Sequence, residues 1–145
     1  MPDSNPVRVT PAAEENGLAE MVAGLVRQNL EAHPERLPDL ARLDLWLGID
    51  ATDVEVGLTL VFAGGRLTVL DGVHPRAEAL VVATSDAILE LSLLRIDPSG
   101  LPVLWDAAGR RVVRRFLRGE LRTKGLAAVP RLVRVLRLLS AAETS

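Results

Sequence analysis

Between residues 43 and 83 the chain alternates apolar and non-apolar residues in a way that only a pleated backbone satisfies. Leu43, Leu45, Leu47 and Ile49 alternate with Asp44, Trp46, Gly48 and Asp50. Val54, Val56, Leu58, Leu60 and Phe62 alternate with Glu55, Gly57, Thr59 and Val61. A period of two puts each apolar set on one side of a strand, so both stretches predict strands facing a core. Gly64-Gly65 suits a tight hairpin, after which 66–70 returns as a third strand. Asp71-Gly72 and His74-Pro75 mark a loop, and 78–83 reads as a fourth, more uniformly apolar strand. The first three strands read as an antiparallel meander.

Helical patterns flank this block. Thr10-Pro11 offers a hydroxyl N-cap and a proline at the first helical position. Leu18, Met21, Val22, Leu25, Val26 and Leu30 then follow the spacing of one helix face, predicting a helix over 11–32 that His33-Pro34 ends. Residues 1–9 read as loose, and 34–40 as a short helical turn at most. Ser85-Asp86 caps a helix over 86–94, and Asp97-Pro98-Ser99-Gly100 is a turn. Asp106 caps a further helix, with Val112, Val113, Phe116 and Leu117 facing inward and Arg110, Arg111, Arg114, Arg115 and Arg118 facing out. Gly119 stands where a helix ends in a left-handed residue. Residues 120–124 read as a fifth strand, and its entry after two helices allows parallel pairing with an edge or inner strand.

After Gly125 the run Leu126, Val129, Leu132, Val133, Leu136 and Leu139 predicts a last helix over 126–139. Its polar stripe is narrow, Arg131, Arg134 and Arg137, and apolar residues cover more of the wheel than the roughly 100° a surface helix needs. Such a helix is sandwiched between layers, lines a cavity, or meets a partner. The fold class is therefore α+β: a five-stranded, mostly antiparallel sheet with helices over one face. With 145 residues and no linker or repeat, 1–145 reads as a single domain.

No apolar run approaches the roughly 20 residues that span a bilayer. The first residues, Met1-Pro2-Asp3-Ser4-Asn5, lack the pattern of a secretory signal. The chain has no cysteine, which removes disulfides and thiolate chemistry and fits a cytoplasmic setting. The net charge of −2 hides an asymmetry: residues 1–94 carry −9 and residues 95–145 carry +7. Lys124 is the only lysine among the 17 basic residues, a preference that arginine-favouring codon usage explains. A surface meeting anionic lipid or nucleic acid, or two halves docking on each other, are the other readings of the basic half.

The residues that do chemistry are sparse. His33 and His74 are the only imidazoles, each beside a proline, and a solvated loop position explains both. Asp44, Asp50 and Asp53 lie around the first hairpin, where a polar strand face and a turn account for them better than a catalytic pair. Ser85 is an N-cap rather than a nucleophile, having no glycine-serine elbow around it. No metal, cofactor or catalytic residue is expected. The arginine face at 110–118 lacks the interleaved aromatics of a single-strand nucleic-acid binder, so no nucleic acid is expected either. Solvation explains that face most simply. Among partners, anionic headgroups come first, because the neighbouring helix is so apolar.

Phe116-x-x-Gly119-x-Leu121-x-x-x-Gly125 followed by an aliphatic helix resembles the C-terminal signature of the sterol carrier protein 2 (SCP2-like) lipid-binding domain family. Ala79–Leu89 is similar to that family's strand leading into a Ser/Thr-capped helix, and Val56–Leu70 to its early hairpin, so the resemblance spans about 43–140. It implies an apolar tunnel for fatty acids, acyl-CoA or sterols, and binding or transfer without chemistry. On matching positions the tunnel would be lined by Leu58, Leu60, Phe62, Val81, Leu89, Phe116, Leu117, Val133 and Leu136. Arg110, Arg111, Arg114, Arg115 and Arg118 would meet a headgroup or an anionic membrane in transient contact. The alternative is an interaction module with a filled core, whose exposed helix 126–139 forms a homodimer or docks on another protein.

Overall fold

The computed structural model describes residues 6–94, 102–125 and 129–140. The expected turn at Asp97–Gly100, the start of the last helix at 126–128 and the expected loose residues 1–5 lie outside the described residues, as do 141–145. The elements in chain order are β1 (Val7–Val9), α1 (Pro11–Glu14), α2 (Gly17–Ala32), a 3-10 turn (Pro34–Arg36), α3 (Leu37–Ala41), β2 (Leu45–Ala51), β3 (Val56–Ala63), β4 (Arg66–Asp71), β5 (Ala79–Ala83), α4 (Ser85–Ser92), α5 (Ala107–Leu117), β6 (Leu121–Lys124) and α6 (Val129–Leu139).

The sheet is mixed and six-stranded, in the order β1-β4-β3-β2-β5-β6, which corrects the expectation of five mostly antiparallel strands. The meander β2-β3-β4 forms as expected, with Leu47 opposite Leu60 and Leu60 opposite Val69. The additional strand is β1, from the stretch expected to be loose. Val7-Arg8-Val9 pairs in parallel with Leu67-Thr68-Val69 and leaves Val7 only 2% exposed. Three residues are too short an alternation to register as a strand. The second parallel pair is β2 with β5, because the chain leaves β4, crosses β3 and β2, and enters the sheet on the far side of β2. β6 then pairs antiparallel with β5, so the fifth expected strand does not pair in parallel.

One face of the sheet carries the core. Leu45, Leu47, Ile49, Leu58, Leu60, Phe62, Leu67 and Val69 are buried there with Val22, Val26 and Leu30 of α2 and Val135 and Leu138 of α6. The other face is crossed by the β4–β5 connection. Glycines at 48 and 57 make room for it: a Cβ on Gly48 would stand 2.9 Å from Val73 Cγ1, and one on Gly57 3.2 Å from Val73 Cγ2. Thr59 anchors the crossing, its hydroxyl donating to the Gly72 carbonyl at 2.8 Å and accepting from the His74 N–H at 2.8 Å.

The helix expected over 11–32 is two helices. Asn16 interrupts it: its side-chain oxygen accepts from the Ala19 N–H at 3.1 Å and caps α2, while its amide nitrogen donates to the Gly57 carbonyl and to Asp71 Oδ1, both at 2.9 Å. One asparagine thus caps a helix and ties it to the β3–β4 end of the sheet. Thr10 occupies the N-cap position of α1, but its hydroxyl is spent on the Val69 carbonyl at 3.2 Å. Thr84, rather than Ser85, caps α4, accepting from the Ala87 N–H. Asp106 caps α5 as expected, at 2.7 Å from the Gly109 nitrogen. Gly119 ends α5 with φ of 77°, as its sequence position requires.

Candidate functional site

Strands β2, β5 and β6 together with α4 and α6 line a strongly apolar void that is partly open to solvent. Leu47 and Ile49 of β2, Val81 of β5, and Leu121 and Thr123 of β6 form its floor. Ile88 and Leu91 of α4 face Val135, Leu136 and Leu139 of α6 across it. The pairs follow from helical spacing: 88 and 91, like 135, 136 and 139, fall on one face of their helices. Among the described residues the lining offers one hydroxyl, that of Thr123, and no ionisable group. The void measures about 110 Å³. A cavity of about 150 Å³ holds benzene, and pockets for drug-sized ligands run to roughly 300–1,000 Å³. The site between the two helices is therefore smaller than pockets of that class.

Polar contacts pin the rim of α6 rather than its inner face. Arg131 donates to Glu78 at 2.8 Å and to the Asp44 carbonyl at 2.9 Å, and Arg137 pairs with Asp39 at 3.0 Å. Asn29 donates to the Leu138 carbonyl at 3.0 Å and Arg36 to the Ser140 carbonyl at 2.6 Å, so the C-terminal carbonyls of α6 are capped from α2 and the turn after it. Burial lowers the Arg36 pKa, since desolvation penalises its charged form. Ser140 Oγ donates to the Leu94 carbonyl, fastening the end of α6 to the end of α4. The arginine stripe and the buried Val135, Leu138 and Leu139 leave α6 enclosed between layers. An exposed apolar helix 126–139, as the interaction-module reading requires, is not what the described part of it forms.

Of the nine residues expected along a tunnel, Val81 and Leu136 line the void. Leu58, Leu60 and Phe62 are fully buried under the α2 side of the sheet, as plain core. Val133 is half-buried but lies outside the void's lining. Leu89, Phe116 and Leu117 are not inward at all, being 43%, 55% and 78% exposed. Val113, also expected inward, is exposed as well. The reason is the placement of α5, which rests beside α4 and β6 at the edge and buries little beyond Gly109 and Val112. Leu47, Ile49, Ile88, Leu91, Leu121, Thr123, Val135 and Leu139 were missed as lining. Their signal was apolar spacing, which every core residue shares.

The five arginines divide. Arg115 is half-buried and grips Glu90 of α4 with two bonds, Nε to Oε2 at 2.6 Å and Nη2 to Oε1 at 3.1 Å, with Glu120 at 3.6 Å. That hydrogen-bonded pairing holds the Glu90 carboxyl below its usual range and raises the Arg115 guanidinium. Arg115 is a staple between α4 and α5. Arg110, Arg111, Arg114 and Arg118 are exposed and form no ion pair among the described residues, although Arg111 is close enough to Glu90 to favour its charged form. Arg111, Arg114 and Arg118 join Glu90, Arg115 and Glu120 around a shallow polar depression of about 190 Å³.

Several of the residues weighed for chemistry make contacts within the fold. Asp53 accepts from both the Ser85 N–H at 2.8 Å and its hydroxyl at 2.7 Å, which lowers the Asp53 pKa and clamps the start of α4. His33 Nδ1 lies 3.1 Å from Glu35. His74 Nδ1 accepts from the Arg76 N–H at 3.1 Å, and its ring centroid is 5.0 Å from that of Trp46. Among the described residues no three of His, Cys, Asp or Glu converge on a metal-sized site, and no helix is long and apolar enough to cross a membrane.

No protein-family model and no curated protein matches the sequence. Solved structures do match in shape. A protein described as a UbiJ-SCP2 ubiquinone synthesis protein aligns at a TM-score of 0.57 and 18% identity, over 88% of this chain and 98% of that one. A sterol carrier protein 2 aligns at 0.50 and 11% identity, over 87% and 95%. The stereoselective inverting sec-alkylsulfatase Pisa1 from Pseudomonas sp. aligns at 0.51 and 15% identity, over 74% of this chain but 14% of that one.

Proposed function

We propose that this chain, whose fold is SCP2-like, binds a hydrophobic small molecule, such as a fatty acid, acyl-CoA, sterol or similar lipid, and carries it without chemical change. The observation that supports this reading most is the void between the β2-β5-β6 part of the sheet, α4 and α6, lined by aliphatic side chains and one threonine hydroxyl. Its neighbours in shape include proteins named for sterol and ubiquinone, both hydrophobic molecules.

The ligand enters by parting α4 from α6. The two helices meet through aliphatic contacts across the void and through Ser140 at their ends, while Asn29, Arg36, Arg131 and Arg137 hold α6 and Arg115 and Asp53 hold α4, so the opening works against those contacts. Each methylene drawn in contributes about 0.8 kcal/mol, set against the ordering of both chains. Among the described residues the lining is aliphatic apart from the Thr123 hydroxyl, so these residues can enclose a ligand and offer it one hydroxyl.

The test is native mass spectrometry of the purified chain, followed by denaturing extraction and displacement of a fluorescent fatty acid or sterol. A stoichiometric adduct that extracts as a lipid, with a displaceable fluorophore, is the expected result. A clean apo mass with no binding of either fluorophore would sink the reading.

A further inference from the structure

The geometry points to α5 and the segment before it as a docking surface for an anionic lipid bilayer, with apolar side chains that enter the membrane and a row of arginines that hold its headgroups. Gly109, Val113 and Phe116 follow the i, i+4, i+7 spacing of one helix face, and Leu117 adjoins them at i+4 from Val113. A Cβ on Gly109 would collide with the backbone of Val103 and Leu104, so the segment leading into α5 lies against that same face. Leu104, Trp105, Val113, Phe116 and Leu117 are 44%, 73%, 38%, 55% and 78% exposed. Val113, Phe116 and Leu117 adjoin on one exposed side of α5, with Leu104 and Trp105 exposed just before its start, and large apolar side chains adjoining on an exposed face are not ordinary surface.

The charge beside them selects the partner. Arg110 and Arg114 share the next line along the helix with Leu117, and Arg111 and Arg118 follow on the polar side. These four are exposed and none is in an ion pair among the described residues, though Arg111 lies near Glu90, and α5 itself contains no acidic residue. An apolar arc bearing Trp, Phe and Leu beside a cationic row is the pattern of a helix lying in a membrane interface. Tryptophan and arginine both suit that depth, the ring at headgroup level and the long arginine stem reaching back to phosphate. A protein partner would leave four arginines needing matched carboxylates, whereas an anionic bilayer supplies phosphates at any register.

The surface is separate from the void, so its test is separate too. Flotation of the full chain with vesicles of phosphatidylcholine alone, and with about one third phosphatidylglycerol, reads the association. The expected result is binding to the anionic vesicles at low salt, its loss at high salt, and a blue shift of Trp105 emission that Trp105→Phe removes. Arg110→Gln/Arg114→Gln should weaken binding by roughly fivefold per charge. Phe116→Ser/Leu117→Ser should weaken it roughly tenfold or more while thermal unfolding and fatty-acid displacement stay unchanged, because both side chains are already solvent-exposed. No flotation at low salt overturns the inference, as does binding that survives both double variants. So does a homodimer that Phe116→Ser/Leu117→Ser converts to monomer without vesicle binding, which would assign the patch to a second copy.

Discussion

Val135 is 3% exposed and borders the void, which makes Val135→Ile a direct probe of it. In a packed core an added methylene overpacks and costs about 1–3 kcal/mol. Beside a void it can extend into space that no described side chain occupies. At roughly 24 cal/mol per Å³, a void of about 110 Å³ represents at most about 2.6 kcal/mol of missing contacts. One methylene recovers a part of that, about 0.8 kcal/mol if it points into the space. For a chain of this size that raises the midpoint of thermal unfolding by roughly 2–4 °C. Isoleucine keeps the β-branch, so the backbone of α6 is undisturbed. The same methylene occupies the place where a ligand begins to enter, so displacement of a fluorescent fatty acid should weaken as stability rises. Chemical denaturation and fluorophore titration on the same preparation read both quantities. Destabilisation by more than about 1 kcal/mol would show that the site is already full. A gain in stability with fluorophore binding unaltered would refute the assignment of the void as the ligand's place.

Three further outcomes are expected. Asp53 has its pKa lowered by the Ser85 bonds, so its contribution to stability is present above the ordinary carboxylate range and is lost as pH falls through the lowered folded-state value. Asp53→Asn should therefore lower stability at neutral pH and flatten the acid limb of a pH series of urea melts; an unchanged limb would contradict the clamp. Leu138→Ala, at a fully buried position of α6, should cost about 2–5 kcal/mol in urea denaturation, and a cost below 1 would mean that α6 is not part of the core. Gly24→Ala, in mid-α2 with open space around it, should gain about 0.5–1 kcal/mol, whereas Gly109→Ala should lose stability by forcing the 103–104 backbone off α5; equal effects would refute the close approach there.

The SCP2-like resemblance stood on residues that structure does use. Gly119 and Gly125 adopt φ of 77° and 87°, and a Cβ on Gly125 would stand 2.6 Å from the Glu78 carbonyl oxygen, so both glycines are required for geometric reasons. The tunnel residues inferred by matching positions lie in several different places. Leu60 and Leu47 face each other across a strand pair with identical chemistry, yet only Leu47 borders the void. Nothing local distinguishes them, because the difference is which helix lies above each.

By itself the sequence determined what short-range physics determines. Periods of two and 3.6 placed the meander and the helices, glycines with forced positive φ placed their ends, and the shortage of imidazole and the absence of thiol left little chemistry to find. Tertiary structure alone decided that Val7–Val9 joins the sheet, that β5 skips to the far side of β2, and that Asn16 splits one helix into two. It also turned Phe116 and Leu117 outward, although their spacing marked them as core. An apolar face states only that a residue avoids water when it has a neighbour to cover it. Whether the covering layer exists is fixed by long-range placement, and at α5 the described chain brings none.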